Sequence, residues 1–166
     1  MILYGRDLSP FTRRVAIWMD LQGREVERRK ITVAGEDFEH LKTVNPLGRV
    51  PALVLDDGSV LVESGAIVDW LEDTAPEGKR LIPATGEARR ECLQHMAYGQ
   101  STAEKTVAFV YDKVRRPEEF HYQPWIARLE GQISAGLGEL ERRVPGGGWF
   151  GGAAPNGADI AVVIAW

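Results

Sequence analysis

Cysteine is almost missing from this chain: Cys92 stands alone among 166 residues. No intrachain disulfide and no thiolate zinc site can be built from it. His40, His95 and His121 never fall at HxxxH spacing, so a helical metal pair is excluded and no metal cofactor is expected. Long apolar runs are missing too. The longest, Ile160 to Trp166, is far too short to cross a bilayer, so no membrane partner is expected. The N-terminus has no basic n-region or apolar h-region, so no signal peptide is read there and a cytoplasmic protein is the expectation. Excess positive charge is also lacking. A net charge of −4 and a pI near 5.5 argue against nucleic acid as the partner. The one basic run, Arg28-Arg29-Lys30, is short and reads as a solvated strand edge. The glycine-rich stretch Gly146 to Gly152 has neither the GxGxxG pattern nor a P-loop lysine, which removes a nucleotide loop.

What is present is ordinary globular material, 44% hydrophobic and 27% charged. A chain of this length makes one large domain or two small ones and buries about 70% of its unfolded surface. Ile2–Tyr4 is a predicted strand. Phe11, Val15 and Trp18 recur at i, i+4, i+7, which predicts a helix from Pro10 to Leu21 closed by Gly23. Val26 to Val33 is a second predicted strand, and Phe38 with Leu41 marks a short helix ending before Asn45-Pro46. Ala52–Leu55 and Val60–Val62 are predicted strands joined through Asp57-Gly58, and Ser64 is expected to cap a helix carrying Ile67, Val68 and Leu71. The order is βαβαββα, and it fills a domain over residues 1–75.

Residues 76–86 read as a linker, inside an aperiodic stretch with two prolines and two glycines. From 87 to 166 the pattern is helical only. Leu93, Met96, Gln100, Ala103, Val107, Val110 and Val114 predict one long helix, and Ile126, Leu129, Ile133, Leu137 and Leu140 a second. Asn156 with Asp159 forms a capping box that starts a third. Ile160 to Trp166 is apolar on every side and wants cover all round, so the helical domain is expected to be incomplete within this sequence. Cys92, on the first of these helices, is expected to be a buried small hydrophobe.

Three segments carry chemistry. Ser9-Pro10 is an N-cap followed by proline at the first helical position, a pairing that stabilises a helix by about 1 kcal/mol with no further role. The same place can ionise a bound thiol, because a helix N-terminus and a hydroxyl donor both favour the thiolate. In Arg49-Val50-Pro51 the X-Pro bond is expected cis, which would turn the Val50 N–H and C=O toward an extended peptide, while Arg49 could hold a carboxylate. Glu63-Ser64 opens a helix whose free amides suit an α-carboxylate, with Glu63 available for the neighbouring amine. Together the three describe a site for a small, anionic, thiol-bearing peptide.

In order and spacing the SPFTRR, NPLGRVP and ESGAI stretches resemble the glutathione site of the glutathione S-transferase family, serine-type bacterial class. The resemblance covers essentially the whole chain, with PNGADIA similar to the family's capping box in its helical domain. It implies an α/β plus all-α fold: a thioredoxin-like βαβαββα N-terminal domain with a helical C-terminal domain. It implies Ser9 as the activating serine, standing where redox relatives carry cysteine. It further implies Val50 and Pro51 at the cysteinyl part of glutathione, Glu63 and Ser64 at the γ-glutamyl part, and Arg49 near the glycyl end. The activity implied is detoxification by conjugating ionised glutathione, a co-substrate, to a hydrophobic electrophile. Phe11, Tyr98, Gln100, Ser101 and Phe109 are the candidates for that second substrate's wall. A homodimer is implied by the family likeness alone. The competing readings are a non-catalytic scaffold of the same fold, or a glutathione-dependent dehalogenase, isomerase or peroxidase.

Overall fold

The computed structural model describes residues 1–166 and divides them into two compact units, Met1–Leu81 and Ile82–Trp166. In the first unit β1 (Ile2–Gly5) is followed by α1 (Pro10–Gln22), β2 (Glu27–Lys30), α2 (Gly35–Val44), β3 (Ala52–Val54), β4 (Val60–Val62) and α3 (Ser64–Asp73). The strands form one mixed sheet in the order β2-β1-β3-β4, parallel between β1 and β2 and antiparallel at the other two pairings. This is the expected βαβαββα order.

Side chains alternate across the sheet, so each face has its own core. On one face Tyr4 and Ala52 join Ile31 of the following loop and Leu41 of α2. Leu3 and Leu53 point the other way, where α1 and α3 bury Val15, Trp18, Met19, Ile67 and Leu71. β2 is shorter than the predicted Val26–Val33. Only Glu27–Lys30 pair, all four exposed, and Ile31 turns inward after its N–H reaches Gly5 O at 3.0 Å. An edge strand needs only a few residues on the ladder, and charge there is a common way to keep the edge from pairing further.

The second unit is helical: α4 (Gly86–Phe109), one π-helical turn over Val110–Arg115, α5 (Gln123–Arg143) and α6 (Gly157–Ala165). The predicted stripe on α4 is off by part of a turn. Leu93, Val110 and Val114 are exposed, and the buried face is Cys92, Met96, Gly99, Thr102 and Ala103. The reason is close crossing. A Cβ on Gly99 would stand 2.3 Å from the Ala161 carbonyl oxygen of α6, and one on Gly136 of α5 would stand 2.2 Å from Thr102 Oγ1. Small residues mark such contacts, and a count of large apolar residues passes over them. Cys92 is buried as expected, its thiol 3.8 Å from the Met96 sulfur.

The predicted capping box is present. Asn156 Oδ1 accepts from the Ala158 N–H at 2.8 Å, and Asp159 Oδ2 accepts from the Asn156 N–H at 2.8 Å. On α6, Ile160, Ala161, Ile164 and Ala165 are buried while Val163 faces solvent, as does Trp166 just past its end. No helix is long and apolar enough to cross a membrane.

Candidate functional site

The strand register positions the site. Tyr4 of β1 pairs with Ala52 of β3, and Ala52 pairs with Val62 of β4, so these three residues form one rung near one end of the sheet. β1 leaves that rung toward Ser9, β3 enters it from Arg49-Val50-Pro51, and β4 leaves it into Glu63-Ser64. The three segments therefore emerge at the same end because the strand directions require it.

Ser9 is the N-cap of α1, with extended backbone and Pro10 at the first helical position. Its Oγ accepts from the Thr12 N–H at 3.3 Å, and the residue is buried. A hydroxyl that accepts through a lone pair keeps its own proton to donate. Capping and donation are therefore compatible in one serine.

The middle segment is shaped by Asn45, which is fully buried. Its Oδ1 accepts from the Leu47 N–H at 3.1 Å and its Nδ2 donates to Arg49 O at 2.7 Å, with Gly48 N–H closing on Asn45 O at 2.8 Å. This is an Asx-type turn held at both ends by one side chain. Gly48 lies at φ 61°, and a Cβ there would meet the Phe38 ring at 2.4 Å, so only glycine fits. The Val50–Pro51 bond is cis. Val50, half-buried, offers a backbone N–H and C=O that no other backbone group of the chain takes.

The third segment departs from expectation. Ser64 is not the cap of α3 but its first helical residue, buried, and its Oγ accepts from Arg14 Nη1 of α1 at 3.3 Å. Glu63 occupies the cap position at φ 65° and ψ 129°, and no side chain caps the helix. The amides of the first turn are thus left to an external acceptor. The Glu63 carboxylate lies 3.4 Å from Arg49 Nη1, joining the second and third segments across the site. Burial pulls the Arg14 guanidinium below its ordinary value, though a group starting so high stays protonated at neutral pH.

Sequence reasoning missed Arg14 and Asn45. Arg14 sits beside Val15 in the apolar stripe of α1, and a cation at such a position was its signal. Asn45 opens the NPLGRVP stretch and carries the turn signature Asn-Pro-x-Gly, but its side chain was given no role in the site.

Of the four second-substrate candidates on α4, Tyr98, Ser101 and Phe109 lie on one side of the helix and Gln100 does not. At about 100° per residue, Gln100 lies about 200° around α4 from Tyr98, while Phe109 lies about 20° from it. The Tyr98 ring sits 4.7 Å beneath the Arg143 guanidinium and the Phe109 ring 5.0 Å beneath Lys113 Nζ. Gln100 Nε2 donates to Glu104 at 3.3 Å, Ser101 is exposed, and Phe11 on α1 is half-buried. No group of three or more His, Cys, Asp or Glu side chains is placed to hold a metal.

Comparison with known proteins identifies the frame. The model of the glutathione S-transferase N-terminal domain matches residues 3–79, and that of the C-terminal domain matches residues 123–164. The chain belongs to the glutathione S-transferase family. Maleylacetoacetate isomerase of Pseudomonas aeruginosa is 30% identical, over 98% of this chain and 78% of its own length. GstA, a glutathione S-transferase of Escherichia coli O157:H7, is 35% identical over 60% of this chain, which spans less than half of that relative, 47%. Among family structures, a glutathione S-transferase of Methylobacterium radiotolerans in complex with glutathione sulfonate superposes with a TM-score of 0.90 at 25% identity. That match covers 99% of this chain and 76% of the other. One of Methylobacillus flagellatus with glutathione bound gives 0.88 at 27% identity, over 99% and 80%.

Proposed function

We propose that this chain binds glutathione at the Tyr4–Ala52–Val62 end of its sheet, ionises the thiol beside Ser9, and transfers it to a hydrophobic electrophile. The observation that carries the reading is the convergence of three unsatisfied polar features on one sheet end. They are the Ser9 hydroxyl with its proton to donate, the Val50 backbone pair, and the α3 amides beside the Arg49–Glu63 pair. A γ-glutamyl group carries one positive and one negative charge. Glu63 answers the first, and the helix start with Ser64 answers the second. Val50 pairs the cysteinyl backbone as an added strand would, Pro51 fixes its direction, and Arg49 serves the glycyl end. Lowering a thiol pKa by two units requires about 2.7 kcal/mol. One charge-assisted hydrogen bond and one helix end supply that amount.

A second reading has a specific basis, since the isomerase relative covers nearly the whole chain. A thiolate that adds to an activated double bond either stays, which is conjugation, or leaves after rotation about that bond, which is isomerisation. Both begin from the same ionised thiol, and the second substrate decides between them. Assembly as a homodimer is part of the proposal on family likeness alone.

Isothermal titration and an absorbance titration of bound thiolate test the core reading. Glutathione should bind, and Ser9→Ala should raise the bound thiol's pKa by one to two units, slowing turnover roughly ten- to a hundredfold. Ser9→Thr should restore most of both. No heat with glutathione at millimolar concentration would leave the scaffold reading; an unchanged pKa in Ser9→Ala would remove Ser9 from the chemistry. Turnover of maleylacetoacetate against a conjugation substrate separates the two enzymatic readings.

A further inference from the structure

Within the first unit α1 and α3 pack side by side and run in the same direction. Their polar ties advance together along both helices: Arg14 to Ser64, Trp18 to Glu72, and Arg24, just past α1, to Thr74. Both helices therefore open at the same end, one behind Ser9 and the other behind Glu63. Two positive helix ends face the place assigned above to glutathione.

Arg14 is only 5% exposed, on the same helix as the buried Val15 and Trp18. An arginine keeps its charge wherever it is placed. Taking a charge out of water is so costly that an apolar side chain of similar volume commonly leaves a fold as stable or more so. Stability therefore gives little reason for a cation here, whereas its effect on Ser64 gives one. A guanidinium only donates, so at 3.3 Å the Ser64 Oγ must accept from Arg14 Nη1. The Ser64 hydroxyl proton is directed away from Arg14, and no group of the chain accepts it. Beside it the first-turn amides of α3 have no side-chain cap. A hydroxyl proton and helix-start amides together are the donor set that a carboxylate takes.

We propose, resting on the glutathione reading, that Arg14 is a positioning residue for the γ-glutamyl α-carboxylate. Buried behind Ser64, it acts through that hydroxyl and not by contact with the ligand. By occupying a lone pair of Oγ it fixes Ser64 as a donor, so the hydroxyl meets the carboxylate already turned toward it. Without Arg14 the hydroxyl could turn its proton inward to a carbonyl of the protein and meet the carboxylate with a lone pair instead.

The test is isothermal titration of the whole chain with two ligands, glutathione and 4-aminobutyryl-cysteinylglycine, which keeps the amine and lacks only the α-carboxylate. The parent should hold glutathione roughly tenfold or more tighter than the analogue, as expected for a hydrogen bond to a charged group. Arg14→Met, similar in length and uncharged, should cut that ratio to about threefold by weakening glutathione and leaving the analogue unchanged. Arg14→Lys keeps a donor and should restore most of the ratio. Ser64→Ala should match Arg14→Met, and the two combined should lose no more than Ser64→Ala alone. Arg14→Gln, polar but too short to reach Ser64, should show the same loss and carries the test if Arg14→Met does not fold. Equal weakening of both ligands would make Arg14 merely structural and overturn the inference, as would an unchanged ratio or losses that add to those of Ser64→Ala. A parent that does not bind glutathione refutes the glutathione reading and this inference with it. A parent that binds it while Arg14→Met keeps the ratio refutes only the role given to Arg14.

Discussion

Gly99→Ala should destabilise the helical unit even though alanine is the better helix former. In an open helix interior the exchange gains about 1 kcal/mol. At Gly99 the new methyl group would lie 2.3 Å from Ala161 O, 2.6 Å from Ala161 C and 2.8 Å from Ala161 Cβ. None of those atoms belongs to a side chain that can swing aside. Relief requires α4 and α6 to separate by about an ångström, which loosens the packing of Ile160 and Ile164 together. Overpacking of this kind costs about 1–3 kcal/mol, and a backbone oxygen at 2.3 Å puts it in the upper half of that range, so after the propensity gain the net loss should be about 1–2 kcal/mol. Gly131→Ala is the control. It is the same exchange in an interior helical position, α5, where nothing lies within 4 Å of the new atom. It should gain about 1 kcal/mol. Thermal unfolding followed by far-UV circular dichroism should move the two midpoints in opposite directions, by about 2–4 °C per kcal/mol in a chain of this size. If Gly99→Ala melts at or above the parent, the close crossing of α4 and α6 is wrong.

Glu72→Leu should cost about 3 kcal/mol or more, measured by urea unfolding. It orphans the Trp18 indole N–H at 2.8 Å and the Leu81 N–H at 3.0 Å, and removes one of the two acceptors of Gln22 Nε2, which keeps only Leu71 O at 3.2 Å. Gly48→Ala should lose about 2 kcal/mol, from the positive φ and the Phe38 ring together; a Tm equal to the parent's would refute the turn geometry. Hydrogen bonds from Arg142 first, and then Arg143, pull the Glu139 carboxyl down from 4.5 to about 2. A lowered folded-state pKa adds stability that is full above about 4.5 and lost as pH falls toward about 2. Glu139→Gln should therefore be less stable than the parent at neutral pH, the gap closing in acid; a gap that persists at pH 2 would count against the pairing.

The order of the first domain was legible because its cues are local: Asp57-Gly58 between two apolar triplets, Gly23 after a helical stripe, and proline at 10 and 46. The Asn156–Asp159 box was legible for the same reason. What escaped were facts set by a distant partner. Glycine at 99 and 136 looks like a weak point in a helix until α6 and Thr102 are brought against it. Arg14 looks like a surface charge until Ser64, fifty positions later, accepts its hydrogen bond. The Ser64 cap failed because Ser before an apolar helix is a good signal only when the residue before it takes ordinary backbone angles. Glu63, at φ 65°, takes the cap position instead. Likewise Gln100 was grouped by number with Tyr98 and Ser101, although at about 100° per residue only Tyr98, Ser101 and Phe109 lie on one side of α4.

That unusual backbone at Glu63 gives a sharper test of the proposed site than removal of any charge. The Arg49–Glu63 pair is exposed, 62% and 50% on the two side chains, with its atoms 3.4 Å apart. Such a pair is worth about 0–1 kcal/mol and opens easily. The glutamyl amine brings a charge for Glu63 and the glycyl carboxylate one for Arg49, so binding trades one weak pair for two contacts. Meanwhile a non-glycine residue held at φ 65° costs about 1–3 kcal/mol. Glu63→Gly removes the weak pair and relieves the backbone, at the expense of about 1 kcal/mol more chain entropy in the unfolded state. The fold should be as stable as the parent or slightly more so. Glutathione affinity, lacking the carboxylate for the amine, should fall tenfold or more, as when a charged hydrogen-bond partner is lost. Stability and binding then move apart, which ordinary damage to a fold does not produce. A variant that melts earlier and binds more weakly in step would mean that Glu63 merely supports the loop. One that binds glutathione as well as the parent would place the head group elsewhere.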